Sequence, residues 1–250
     1  MSAKTRLHAL DSIRGITLLS MIAYHAMWDL VYMFGVHAPW YRSDGAHLWQ
    51  QSICWTFILL SGFCHSLGRK PLRRGGIVLL ASVVISAVTL IFMPAQRVLF
   101  GVLTLLGCSM LLMVPVGSVC RRFVSPYIGA AVSFAVFLLT KTVQTGALTV
   151  FGKTLFVLPE VLYANNLTAF FGFPGPDFYS TDYFPLIPWF FLYLCGWFLY
   201  EIFCRRGWLS VFSWPRVPGL AFLGRHSLLI YMLHQPLVYA VLYVIFSLLS

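Results

Sequence analysis

Seven stretches of this sequence stay apolar for close to twenty residues, at 12–34, 47–67, 76–93, 98–117, 127–141, 186–204 and 224–248. A bilayer's hydrocarbon core takes about 20 residues of helix to cross. With 60% hydrophobic and 10% charged residues, the chain has too little polar surface to wrap these runs as a water-soluble globule. A membrane-spanning segment must satisfy its own backbone groups, and the runs are continuous rather than alternating, so helices are expected and a barrel is not. The reading is an all-α integral membrane protein, a polytopic bundle of seven transmembrane helices forming one domain over 1–250.

Charge orients the bundle. Lys4, Arg6, the Arg69–Lys70–Arg73–Arg74 group, Arg121, Arg122, Arg205, Arg206 and Arg216 fall on one side, against Arg42, Arg97, Lys141 and Lys153 on the other. The positive-inside rule then sets the N-terminus inside and the C-terminus outside. The same basic loops account for the net charge of +10 through contact with anionic lipid, and no aromatic-rich soluble module is present to read nucleic acid. The six cysteines form no C-x-x-C pair, so free thiols are expected rather than a disulfide framework. The first run has a basic flank, but it is long, carries charge and lacks a small-residue cleavage site, so it is expected to be retained. The outer connection 142–185, with FGFPGPDFYSTDYFP, is rich in Gly and Pro and longer than a minimal connector, and it reads as a lid or binding loop. The NLT at 166–168 matches a glycosylation sequon, a pattern too short to carry weight alone.

The first run, DSIRGITLLSMIAYHAMWDL at 11–30, carries Asp11, Arg14, His25 and Asp29. At 100° per residue, Arg14 and His25 share a helix face about 16 Å apart along the axis, with Asp11, Leu18, Met21, Asp29 and Tyr32 within about 60° of it. Such a stripe cannot face lipid and should face the bundle interior or a wet cavity. Asp11 and Arg14 also suit a local i, i+3 pair near the headgroups. His25 lies near mid-membrane, and His234 in the last run, GRHSLLIYMLHQPLVYAVLY, reaches a similar depth. Ser227 and Tyr231 share the face of His234, and Pro236 removes a backbone donor beside it. His25 and Asp29 at i, i+4 hint at a metal, but no HExxH pattern or third ligand accompanies them, so no metal is expected.

LDSIRGITLLSMIAYHAMWDL, LWQQSICWTFILLSGFC, DYFPLIPWFFLYLCG and LGRHSLLIYMLHQP together resemble bacterial members of the heparan-α-glucosaminide N-acetyltransferase catalytic-domain family. The Arg14 and His25 spacing is similar to the motif of the wider membrane acyltransferase superfamily. The resemblance implies an enzyme of the bacterial plasma membrane. It would transfer an acetyl group from cytoplasmic acetyl-CoA to a sugar amine or hydroxyl, on a carbohydrate or glycoconjugate acceptor, across the bilayer. HAPW at 37–40 resembles the histidine and tryptophan of the lysosomal members' first outer loop, which assigns that role to His37. Where the family pattern in the fourth span has G-x-L-H, this chain has GVLT and so Thr104.

Acyl transfer requires a base for the acceptor, a donor to the developing oxyanion and exclusion of water. His25 is the candidate base or acyl-carrying nucleophile, with His234 at the thioester carbonyl or in proton relay and Asp29 and His37 toward the outer face. Arg14, with Asp11, Ser227 and Tyr231, is the candidate donor-binding set. Trp40, Gln50, Gln51 and Asp182 are candidates for the acceptor, although an interfacial aromatic belt also suits Trp40 and Trp49. Two other classes compete: a small-solute or proton-coupled transporter using the stripe as a path, for which no matched inverted half is found, and a membrane scaffold. A homodimer is compatible with each. The charge pattern predicts that a cysteine at Ser43 is labelled by an impermeant reagent from outside and one at Ser118 only from inside; the reverse labelling would invert the topology.

Overall fold

The computed structural model describes residues 7–213 and 217–249; Lys4, Arg6 and Arg216, which entered the charge count, lie outside them. Among the described residues the chain forms eight α-helices: α1 (His8–Tyr32), α2 (Asp44–Phe63), α3 (Pro71–Phe92), α4 (Val102–Phe123), α5 (Pro126–Thr140), α6 (Leu186–Arg205), α7 (Pro218–Arg225) and α8 (Ser227–Leu249). Between α5 and α6 a two-stranded antiparallel hairpin, β1 (Ala147–Val150) and β2 (Lys153–Val157), interrupts the all-α reading. Five helices, α3 to α6 and α8, are long and apolar enough to cross a membrane. With α1 and α2 the apolar runs are all helical, but the helices overrun them. α3 begins at Pro71, a residue favoured at the first helical position, and so takes Arg73 and Arg74 into its first turns. Hydropathy marks where the hydrocarbon ends, whereas a helix continues into the headgroups for as long as its hydrogen bonds hold.

The seventh run departs further from expectation. It is two helices, because the chain leaves helical geometry at His226 (φ −99°, ψ 18°), whose N–H bonds back to Phe222 and Leu223.

The described chain falls into two units, 1–57 with 207–250, and 58–206. In the first, α1 is the central element. Its Leu18 and Met21 are buried with Ile53 of α2, and Trp49, Leu223, Ile230 and Tyr231 pack around them. Trp49 Nε1 donates to Ser20 Oγ at 2.8 Å, tying α2 to α1. Gly35, in the left-handed region at φ 69°, turns the chain after α1, and the buried Tyr41 then donates to the Tyr24 carbonyl at 2.9 Å, fastening the 33–43 connection onto the helix. Burial raises the Tyr41 phenol far above its usual pKa, which keeps it a neutral donor. α7 meets α1 backbone to backbone: a Cβ on Gly224 would stand 1.9 Å from the Asp11 carbonyl oxygen, and one on Gly15 would stand 2.2 Å from that of Leu220. Small residues permit this approach, as between membrane helices generally.

In the second unit α3 packs on α4 and α5 on α6, around fully buried Trp197, Tyr193 and Phe137. Thr104 Oγ1 donates to Ser82 Oγ at 3.2 Å, so the residue standing where the family pattern has histidine joins α4 to α3. The Arg121 guanidinium pairs with Glu201 at 2.9 Å, donates to Ser66 and lies over the Trp197 ring. His65, in the turn after α2, shares a hydrogen bond with Tyr193 Oη at 3.0 Å. The 142–185 connection is strapped to the α3–α4 turn at its far end. The Thr181 and Phe184 N–H groups bond the carbonyls of Arg97 and Phe100, Leu99 N–H donates to Ser180 Oγ, and Val102 N–H donates to Asp182 Oδ2 at 3.1 Å.

The α1–α7 contact leaves no room for a side chain. Gly224→Val should lower the thermal stability of the detergent-solubilised protein by about 1 to 3 kcal/mol, the range of overpacked cores. Gly219→Ala, in the same helix with no atom within 4 Å of its new Cβ, should be neutral or stabilising; equal losses in the two variants would show that the contact is not tight.

Candidate active site

The polar stripe of α1 turns inward. Leu18, Met21 and Asp29 are buried, Asp29 to 1% exposure, while Ile16, Leu19 and Tyr32 stay exposed. Tyr32 therefore leaves the stripe that the helical count gave it, because α1 ends there and the chain turns away. At the N-terminal end of the stripe the Arg14 guanidinium stands 3.8 Å from the Asp11 carboxylate, the i, i+3 pair that the spacing suggested.

About three turns further along α1, the histidines of the first and last apolar runs meet. The rings of His25 and His234 lie 4.9 Å apart between centroids at 64°, so the depths counted separately on the first and last runs coincide. His234 Nδ1 lies 2.5 Å from the Tyr231 carbonyl. A carbonyl only accepts, so the imidazole proton sits on Nδ1 and the lone pair on Nε2. That Nε2 is buried and has no hydrogen-bond partner. Pro236 follows two residues later inside α8 and supplies no N–H, which removes one i→i−4 bond from the helix.

One turn beyond His25, Asp29 is held from α8. Gln235 Nε2 donates to Asp29 Oδ1 at 2.6 Å, while Asp29 Oδ2 and Gln235 Oε1 are buried without partners. With His234 Nε2 this makes three buried acceptors on α1 and α8 that lack a donor. Such atoms are costly in a low-dielectric interior, and an N–H or O–H brought among them by a ligand would be stabilised. An apolar cavity of about 260 Å³ adjoins, lined by Ile22, Ile230, Leu233, His234 and Leu237 among others.

The remaining predicted residues distribute as follows. Tyr231 gives its carbonyl to His234, its ring 5.4 Å from the imidazole and tilted by 53°, and half-buried Ser227 opens the same helix. On the connection after α1, His37 and Trp40 are exposed, and Trp40 stacks on Trp49 at 6.4 Å and 25°. Gln51 accepts from Trp55 at 3.1 Å, and Gln50 is half-buried one residue earlier. Asp182 belongs to the second unit, where its carboxylate caps the start of α4. Among the described residues no three His, Cys, Asp or Glu side chains cluster as a metal site would require.

Residues 6–236 match the family model described as heparan-alpha-glucosaminide N-acetyltransferase, catalytic. The chain belongs to this family. The match ends one residue past Gln235, so it takes in both histidines, Asp29 and its partner. No curated protein and no solved structure matches the chain.

Gln235 is the residue that the sequence reading missed. It stands next to the histidine that drew attention, and a lone glutamine in an apolar helix, like any polar side chain there, needs an inward partner; the nearest acid on the opposing stripe is Asp29. Gln235→Leu should cost about 1 to 3 kcal/mol of stability by stranding the buried carboxyl. In an Asp29→Leu background the same change should cost clearly less. Additive losses in the double-mutant cycle would mean that the 2.6 Å bond contributes nothing.

Proposed function

We propose that this protein is a membrane-embedded acetyltransferase that takes its acetyl group from acetyl-CoA at the cytoplasmic face and gives it to a sugar amine or hydroxyl on the other side of a bacterial plasma membrane. Family membership supports the reaction class, and it lends nothing to the transporter reading of the stripe. The observation that carries the residue assignment is the His25–His234 pair at 4.9 Å, with the lone pair of His234 directed to Nε2 by the Tyr231 carbonyl. In this reading α1 and α2 also cross the bilayer, which gives seven crossings, an inside N-terminus and an outside C-terminus.

The chemistry follows from the atoms. His234 Nε2, or His25 across from it, accepts the proton of the acceptor N–H or O–H as that atom attacks the thioester carbonyl. The tetrahedral intermediate collapses by breaking the C–S bond. The imidazolium returns its proton to the departing CoA thiolate, which leaves the acetylated acceptor and CoA-SH. If His25 attacks first, the acetyl group passes through an acyl-imidazole and the same proton bookkeeping is divided over two steps. Asp29, held by Gln235, orients the donor hydrogens of the acceptor. Arg14, at the cytoplasmic end of the stripe beside Asp11, attracts the phosphates of CoA, with Ser227 near the same end of α8. Trp40, His37, Gln50 and Gln51 meet the acceptor, stacking and hydrogen-bonding to a sugar ring, and Asp182 is a further candidate, in the second unit.

With labelled acetyl-CoA and an amino-sugar acceptor in reconstituted vesicles, His25→Ala and His234→Ala should each remove most transfer, by about 10²-fold or more for a lost general base. The double variant should be little worse than the worse single, because groups that serve one step are non-additive. Loss factors that multiply, in variants that still insert and bind acetyl-CoA, would separate the two histidines into independent roles.

A further inference from the structure

The β1–β2 hairpin, between membrane helices α5 and α6, has a tip whose backbone and side chain conflict. The pairing of Val150 with Lys153 leaves a two-residue loop, Phe151–Gly152, and both residues have positive φ, 49° and 76°. Two positive φ values in such a loop are the hairpin pattern that favours Asn-Gly. Glycine fits the second position, but a bulky aromatic at the first is a backbone outlier that local energetics does not favour. No described residue packs over it: Phe151 is 99% exposed. Leu155, Phe156, Val157 and, just beyond, Val161 are also exposed. Strain retained at a side chain that packs on nothing indicates a contact outside the chain.

We propose that this hairpin is a membrane-surface anchor, with Phe151 seated among the lipids beside the end of α5. Three observations select lipid as the occupant. First, the hairpin is continuous with a membrane helix, since only a single turn, Val143–Thr145, separates the last turn of α5 from β1. Second, Lys153 is the one charge on the two strands and their tip, with Lys141 before them and Glu160 after them, so the hairpin itself is basic, which suits anionic headgroups. Third, the conflict is at the tip. A second copy of the chain would pair along a strand edge, which requires no phenylalanine in a left-handed position. A phenylalanine beside a lysine is instead what interfacial segments use, with the apolar ring at the acyl boundary and the ammonium in water.

The test uses the full chain with its six native cysteines replaced by serine, Phe151→Cys labelled with the polarity-sensitive dye NBD, in vesicles of phosphatidylcholine and phosphatidylglycerol. NBD emission should be blue-shifted, and quenching by spin-labelled lipid should exceed that by aqueous iodide several-fold. The same dye at Asp177→Cys, an exposed position of the same connection, should show the reverse preference. With the dye instead at Leu155→Cys, Phe151→Asn should cut lipid quenching by half or more while the hairpin is kept, because asparagine tolerates the tip conformation. Iodide quenching at position 151 equal to that at 177 would overturn the anchor. So would dye–dye self-quenching that grows with the protein-to-lipid ratio, which would assign the tip to a contact between copies.

Discussion

The first unit depends on the burial of a carboxyl group in an apolar helix. Asp29 is enclosed on α1 and takes its hydrogen bond from Gln235 on α8. A polar group in hydrocarbon that lacks a partner costs several kcal/mol, so α1 cannot present this face to lipid and α8 must lie against it. Once α8 is so positioned, His234 is brought to His25 as a consequence, since it precedes Gln235 by one residue and His25 precedes Asp29 by one turn. The two pairs are rungs of one ladder, Asp29 with Gln235 and His25 with His234.

α7 and α8 hold α1 by different means. α7 approaches through Gly15 and Gly224 with its backbone in van der Waals contact, a contact that is rigid and indifferent to charge. α8 approaches through imidazole, amide and carboxyl, groups that exchange protons and hydrogen bonds. The break at His226 separates the two tasks, and an unbroken helix would have carried the glycine contact and the histidine on one rigid rod.

Much of this was legible in the residues. The apolar runs marked the helices because the cost of exposing a peptide group to lipid leaves few alternatives. The inward stripe of α1 followed from the angular positions of Leu18, Met21 and Asp29, and the matching depths of His25 and His234 from counting rise per residue. Three features were not legible. The division of the last run at His226 has no proline or hydropathy signal, because it is set by how closely Gly224 approaches α1. Gln235 is an ordinary residue until its partner 206 positions away is known. The hairpin lies in a segment whose Gly and Pro content suggested a loop, and its Phe-Gly tip is an unfavourable hairpin sequence that no propensity rule selects. Asp182 was read as an acceptor ligand from its charge and its side of the membrane, and its helix-capping bond to Val102 is a contact between distant segments that spacing does not encode.

The Asp29–Gln235 bond also bears on how the protein is made. Its two ends are 206 residues apart, so at a synthesis rate of about 5 to 20 residues per second the first helix leaves the ribosome roughly 10 to 40 s before its partner exists. Throughout that interval Asp29 lacks the amide that holds it in the finished unit. Assembly of this unit is therefore completed only once α8 has been made, and a nascent protein stalled short of residue 235 holds an α1 whose buried carboxyl has no amide to meet it.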